Sequence, residues 1–129
     1  MEWIVLITLL VAVEYFFLAV MVGKSRSETG VHAPDCVGDE KFERVFRVQQ
    51  NTLEQLIIFF PALWIFGYYV SATIGAALGV LFLIGRIMYA RGYVQDPAKR
   101  APGFILASLA TLALIVGGLV GAIGALINA

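Results

Sequence analysis

Four residues near the middle of the chain have types and spacing that ask for a chemical reason. Arg44, Arg47, Asn51 and Glu54 stand at i, i+3, i+7 and i+10, and at helical spacing they share an arc of about 80°. Arg86, Tyr89 and Tyr93, at i, i+3 and i+7, share about 60° by the same arithmetic. Any single arginine here is explained by an internal pair with Glu54 or by snorkelling to lipid phosphate. As a set, several guanidiniums facing one carboxylate leave positive charge unspent, which favours an anionic ligand with more than one carboxylate. Glu54 and Asn51 suit a ligand ammonium group, and the tyrosines supply hydroxyl donors. A small zwitterionic peptide with excess negative charge fits these residues.

The elements that must position them follow from composition. Of 129 residues 60% are hydrophobic and 14% charged, with 9 Lys+Arg against 9 Asp+Glu, far more apolar than a soluble domain. Zero net charge and the lack of a basic face argue against nucleic acid, and a single cysteine, Cys36, excludes a disulfide scaffold. Apart from Glu2 and Glu14, every charge lies between Lys24 and Glu54 or between Arg86 and Arg100. The expectation is an all-α, integral membrane four-helix bundle, a single four-span domain over residues 1–129. The spans are placed at Trp3–Gly23, Phe42 to about Tyr69 with a kink at Pro61, roughly Thr73–Ala90, and Gly103–Ile127. Polar loops fill Lys24–Lys41 and Arg91–Pro102, and a very short turn joins the second and third spans. The first span lacks the positive flank of a signal peptide and reads as retained.

Ionisable groups facing lipid cost at least ~2.5–3.5 kcal/mol each, so both polar stripes are expected to turn inward and converge. The two charged loops fall on one side of the membrane, and positive-inside bias makes that side cytoplasmic with both termini opposite. Small residues recur at four-residue intervals, Ala113, Gly117, Gly121 and Ala125 in the fourth span and Gly75 and Gly79 in the third. Tight packing within one subunit is the first reading of these stripes and subunit association the second. His32 and Cys36 read as solvated loop residues, too few for a metal site. Glu14, a lone acid in the first span, reads either as hydrogen-bonded to another helix or as the exchange carboxylate of a small proton-coupled multidrug transporter.

The run Phe42-Glu43-Arg44-Val45-Phe46-Arg47-Val48-Gln49-Gln50-Asn51 with Glu54, then Arg86-Ile87-Met88-Tyr89-Ala90-Arg91-Gly92-Tyr93 and Arg100, resembles the membrane-associated proteins of eicosanoid and glutathione metabolism. The resemblance implies a homotrimer that holds glutathione between subunits near the cytoplasmic face. It implies glutathione contacts from Arg47, Asn51, Glu54, Tyr89 and Tyr93 of one subunit and Gln49 of its neighbour. Gln49 lies about 140° from Arg44 around the helix, as a second-subunit contact would require. Arg44 and Arg86 join the set from the polar stripes. Lys24 and Arg26, standing where relatives have a paired arginine, join it as candidate glutathione contacts, and Gln55 stands where the leukotriene-C-forming relative commonly has Tyr. Arg100 by itself reads as a positive-inside anchor; the resemblance makes it the catalytic residue that ionises the glutathione thiol. The implied activity is glutathione transfer to a hydrophobic electrophile or reduction of a lipid hydroperoxide, in a bacterial inner membrane or an organellar one. A non-enzymatic lipid-binding scaffold, like the 5-lipoxygenase-activating relative, is the rival.

Overall fold

A computed structural model describes all residues 1–129 and contains four long helices and no strand. They are α1 (Glu2–Thr29), α2 (Glu40–Tyr69), α3 (Ala72–Gln95) and α4 (Ala101–Ile127), with a 3₁₀ turn at Pro97–Arg100 between the last two. All four are long and apolar enough to cross a membrane, and their outer faces carry exposed Phe16, Phe17, Leu109 and Val120 as lipid contact requires.

Two helices run further than hydropathy placed them. The sequence boundaries marked where the apolar runs end, but hydrogen bonding continues into polar residues beyond. α1 extends through Lys24 and Arg26 to Thr29 and stops where Gly30 turns left-handed at φ 78, its N–H closing on Arg26 O. α3 extends to Gln95, so Tyr93 sits on a helix rather than in a loop, and Arg91–Pro102 is not one open loop but a helix end, a 3₁₀ turn and the start of α4. Each connection is capped by a side chain. Asp39 accepts from Phe42 N–H, Ser71 from Ile74 N–H and Asp96 from Ala98 N–H, at 3.0–3.1 Å. Only residues 70 and 71 separate α2 from α3, the very short turn expected. Pro61 lies inside a continuous α2.

The main core gathers Ile4, Ile7 and Val11 of α1, Phe59, Leu63 and Phe66 of α2, Phe82 of α3 and Leu114 of α4. Phe59 and Phe82 stack with ring centroids 3.7 Å apart. The glycines of the predicted small stripes pack within the subunit. Added Cβ atoms on Gly75 and Gly79 would press on Ile4 and Ile7, and on Gly117 and Gly121 on the side chains of Phe66 and Val70. Ala113 and Ala125 remain exposed. The closest backbone approach lies elsewhere, between α3 and α4: a Cβ on Gly85 would stand 2.6 Å from Ala107 N, and one on Gly103 would collide with Tyr89 N. Gly92 is held equally closely by the Lys99 carbonyl. Those contacts fix the end of α3 and the turn after it as one unit.

Candidate functional site

At the charged end of the bundle, α2, α3, the 3₁₀ turn and the start of α4 surround a cavity of about 870 Å³. Arg47 and Asn51 enter it from α2, Tyr89 and Tyr93 from α3, Arg100 from the turn, and Phe104 with Ile105 from the first turns of α4. Five residues singled out in the sequence therefore meet in one cavity, and the two polar stripes converge. The tyrosine rings lie 5.6 Å apart, centroid to centroid, and the Tyr89 ring reaches 6.2 Å from Phe104. No carboxylate lines the wall. Two guanidiniums in a wall without a carboxylate favour an anion there, more so where apolar walls exclude water, although Arg47 also borders a neighbouring cleft with Glu40 and Glu43.

The arginines divide by what already holds them. Arg47 is exposed and makes no hydrogen bond or ion pair within the chain. Arg100 is exposed and donates once, to Pro97 O at 2.7 Å, which anchors the side chain on its own turn while leaving further donors. Arg44 is spent. It donates to Val94 O and Gln95 O at 3.4 and 3.1 Å and pairs with Glu40, satisfying carbonyls at the end of α3. Arg86 is buried behind the wall: it is 1% exposed and donates through Nη2 to Asn51 Oδ1 and Thr52 Oγ1, both at 2.8 Å.

The remaining candidates stand outside this chain's cavity. Glu54 is exposed and unpaired, and Gln49 is half-buried on a different arc of α2. Lys24 faces Glu28 at 3.9 Å. Arg26 donates to Val31 O and Asp35 O at 3.3 and 2.8 Å and lies 4.7 Å over the Phe42 ring, so it organises the loop after α1. Sequence reasoning missed Phe104 and Ile105 in the cavity wall. Their signal was position: they follow Arg100 by about one helical turn and so share its end of α4. A second groove, about 410 Å³ and wholly apolar apart from its backbone, runs between Ile57, Pro61 and Ile65 of α2 and Leu114, Gly118 and Ala122 of α4.

Comparison with known proteins agrees with the motifs. The sequence model of the MAPEG family matches residues 4–120. An uncharacterised protein of Synechocystis sp. is 50% identical over 117 residues, covering 91% of this chain and 85% of that one. Human microsomal glutathione S-transferase 2 is 40% identical over 118 residues, 92% of this chain and 78% of the relative. Leukotriene C4 synthase of Cavia porcellus is 32% identical over 117 residues, covering 84% and 78%. The chain belongs to the MAPEG family.

Proposed function

We propose that this MAPEG chain is a membrane-bound glutathione transferase whose glutathione lies in the cavity between α2, α3 and α4. The observation that carries the reading is the presence of two guanidiniums with donors to spare, Arg47 and Arg100, in a cavity of about 870 Å³ that no carboxylate lines. Glutathione carries two carboxylates, one ammonium group and a thiol. Arg47 would hold a carboxylate through charge-assisted hydrogen bonds, and Tyr89 and Tyr93 offer hydroxyl donors. In a homotrimer with glutathione at a subunit boundary, Glu54, on the same arc of α2 as Arg47 and Asn51, would meet its ammonium group from this subunit, and Gln49, on a different arc, would reach in from the neighbouring one.

Arg100 is proposed to act on sulfur. A thiol of pKa ~8.5 is only about 3% ionised at pH 7, and a cation within ~4–6 Å lowers such a pKa by roughly 1–3 units. Arginine does this without competing as a base, because it stays protonated. The thiol proton leaves to solvent, the thiolate sulfur forms a bond to the electrophilic carbon, and the leaving group departs with its electron pair. With a lipid hydroperoxide the same thiolate attacks the terminal oxygen as the O–O bond breaks, and the lipid alkoxide leaves and takes a proton from solvent; a second glutathione then attacks the resulting sulfenic acid to give the disulfide and water. Phe104 and Ile105 form the apolar side of the cavity, where a hydrophobic electrophile arriving through the lipid would meet the sulfur. The charged loops would be cytoplasmic, in a bacterial inner membrane or an organellar membrane.

Isothermal titration of detergent-solubilised protein with glutathione tests this. Saturable heat in the wild type, strongly reduced in Arg47→Ala, is expected. No heat and no competition by a glutathione analogue would remove glutathione from the account. Binding without turnover of a chlorinated nitrobenzene would leave the scaffold reading in its place.

A further inference from the structure

Arg86 approaches the cavity from behind its wall. Besides its hydrogen bonds to Asn51 and Thr52, its guanidinium lies 4.2 Å from the Tyr89 ring centroid. Asn51 and Tyr89 both line the cavity, so one buried cation touches two wall residues from the rear. Both donations come from Nη2; Nε and Nη1 are buried with no partner in the chain. On α1, both carboxylate oxygens of Glu14 are likewise buried and unpartnered. Glu14 stands between Val11, which shares the main core with Phe82, and Leu18, which shares a cluster with Tyr89, so it lies level with Arg86 in the bundle; none of the direct ion pairs joins the two.

The chemistry of the guanidinium fixes what Asn51 can do. Arginine has donors and no acceptor, so the Asn51 atom at 2.8 Å must be the carbonyl oxygen, and the two amide N–H bonds are left for the cavity. We propose that Glu14 and Arg86 form a positioning pair: Arg86 holds Asn51 as a donor toward the ligand, and Glu14 supplies the counter-charge that lets a guanidinium be stored inside the bundle. The proposal rests on the glutathione reading of the cavity and deepens it. It moves Asn51 from a partner of the ligand's ammonium group, as the sequence suggested, to a partner of an acceptor, a carboxylate or a peptide carbonyl. It also gives Glu14 a role other than proton-coupled exchange, as counter-charge to a resident cation.

Two readouts separate the parts. In ligand-free protein in detergent, Glu14→Leu should lower the thermal midpoint by about 5 °C or more, and Glu14→Leu combined with Arg86→Met should lose less than the sum of the two single losses. Strict additivity would overturn the pairing. In turnover, Arg86→Met should raise the glutathione KM about tenfold while kcat at saturating glutathione stays within about twofold, and Asn51→Ala should add little in that background. Asn51→Asp, which exchanges donors for acceptors, should bind glutathione more weakly than Asn51→Ala. A merely structural Arg86 would instead lower the yield of active protein with KM unchanged. That result, additive KM losses, or Asn51→Asp binding as well as Asn51→Ala would overturn the positioning role. Should Arg86→Met fail to fold, Arg86→Lys keeps the charge but loses the fork, and should raise KM with the thermal midpoint near wild type. Because the thermal cycle is read without ligand, absence of glutathione binding by the wild type would remove the glutathione reading, and Asn51's role with it, while the Glu14–Arg86 pairing is still decided.

Discussion

Helices α3 and α4 meet α2 on one side in a polar cavity and meet each other on another in a seam closed to backbone contact. In the seam, Gly85 and Gly103 bring main chain against main chain, with no room for a methyl group. In the cavity, a few residues away, Arg47 and Arg100 project with no carboxylate to meet them. Tyr89 belongs to both, its backbone pressed on Gly103 and its side chain on the cavity wall. The difference teaches how a small membrane bundle can keep charges unspent. Close packing in lipid comes from van der Waals contact between small residues, and a seam built that way holds the opposing wall in place without drawing on the polar groups of the site.

That division sets the order of expected effects. Disturbing the seam should be worst: Gly103→Val must push α4 off the Tyr89 backbone, at a cost of ~3 kcal/mol or more, read as a collapse of thermal midpoint and of monodisperse protein in detergent. If Gly103→Val were tolerated, the seam could not be what holds the wall. Next comes the cavity, where Arg47→Ala should leave the fold intact and lose ~1.5–3 kcal/mol of glutathione binding, roughly ten- to a hundredfold in Kd by titration. Arg44→Ala sharpens the contrast, because its hydrogen bonds go to α3 carbonyls. It should cost ~1 kcal/mol of stability, with Kd changed less than about threefold. Smallest is Lys24→Ala: its pair with Glu28 is exposed, and stability and Kd should move by no more than ~0.5 kcal/mol. A large loss of binding in Lys24→Ala would instead bring the end of α1 into the site.

The sequence carried the four spans, the convergence of the two stripes and five of the cavity residues, because membrane burial makes each polar side chain conspicuous at helical spacing. Helix ends escaped it. Hydropathy reports where lipid contact stops, not where backbone hydrogen bonding stops, so α1 and α3 were placed too short. The spending of arginines was also hidden: Arg44 and Arg47 share a stripe and a residue type, and what separates them is the reach of Arg44 to Val94 and Gln95, some fifty residues on. Arg86 and Thr52 show the same limit, since Thr52 is unremarkable in sequence and becomes a partner only when α3 packs on α2. The Gly85–Gly103 seam has a local sign, Gly103 and Ala107 at four-residue spacing, but the small-residue stripe further along α4 is longer and masks it.

The central claim is that the cavity holds glutathione as its thiolate, with Arg100 supplying the charge. Ultraviolet absorbance of bound glutathione against pH tests it most directly. The account predicts a thiol midpoint in the wild type roughly 1–3 units below the free value of ~8.5, equivalent to ~1.4–4 kcal/mol. The thiolate band should then be present at neutral pH and fade as pH falls through that lowered midpoint. In Arg100→Ala the midpoint should return toward the free value, with turnover lost near neutral pH and glutathione affinity largely kept at high pH, and Arg100→Lys should fall between. Superimposable titrations of wild type and Arg100→Ala, or a bound thiol that ionises at its free value in both, would contradict the account.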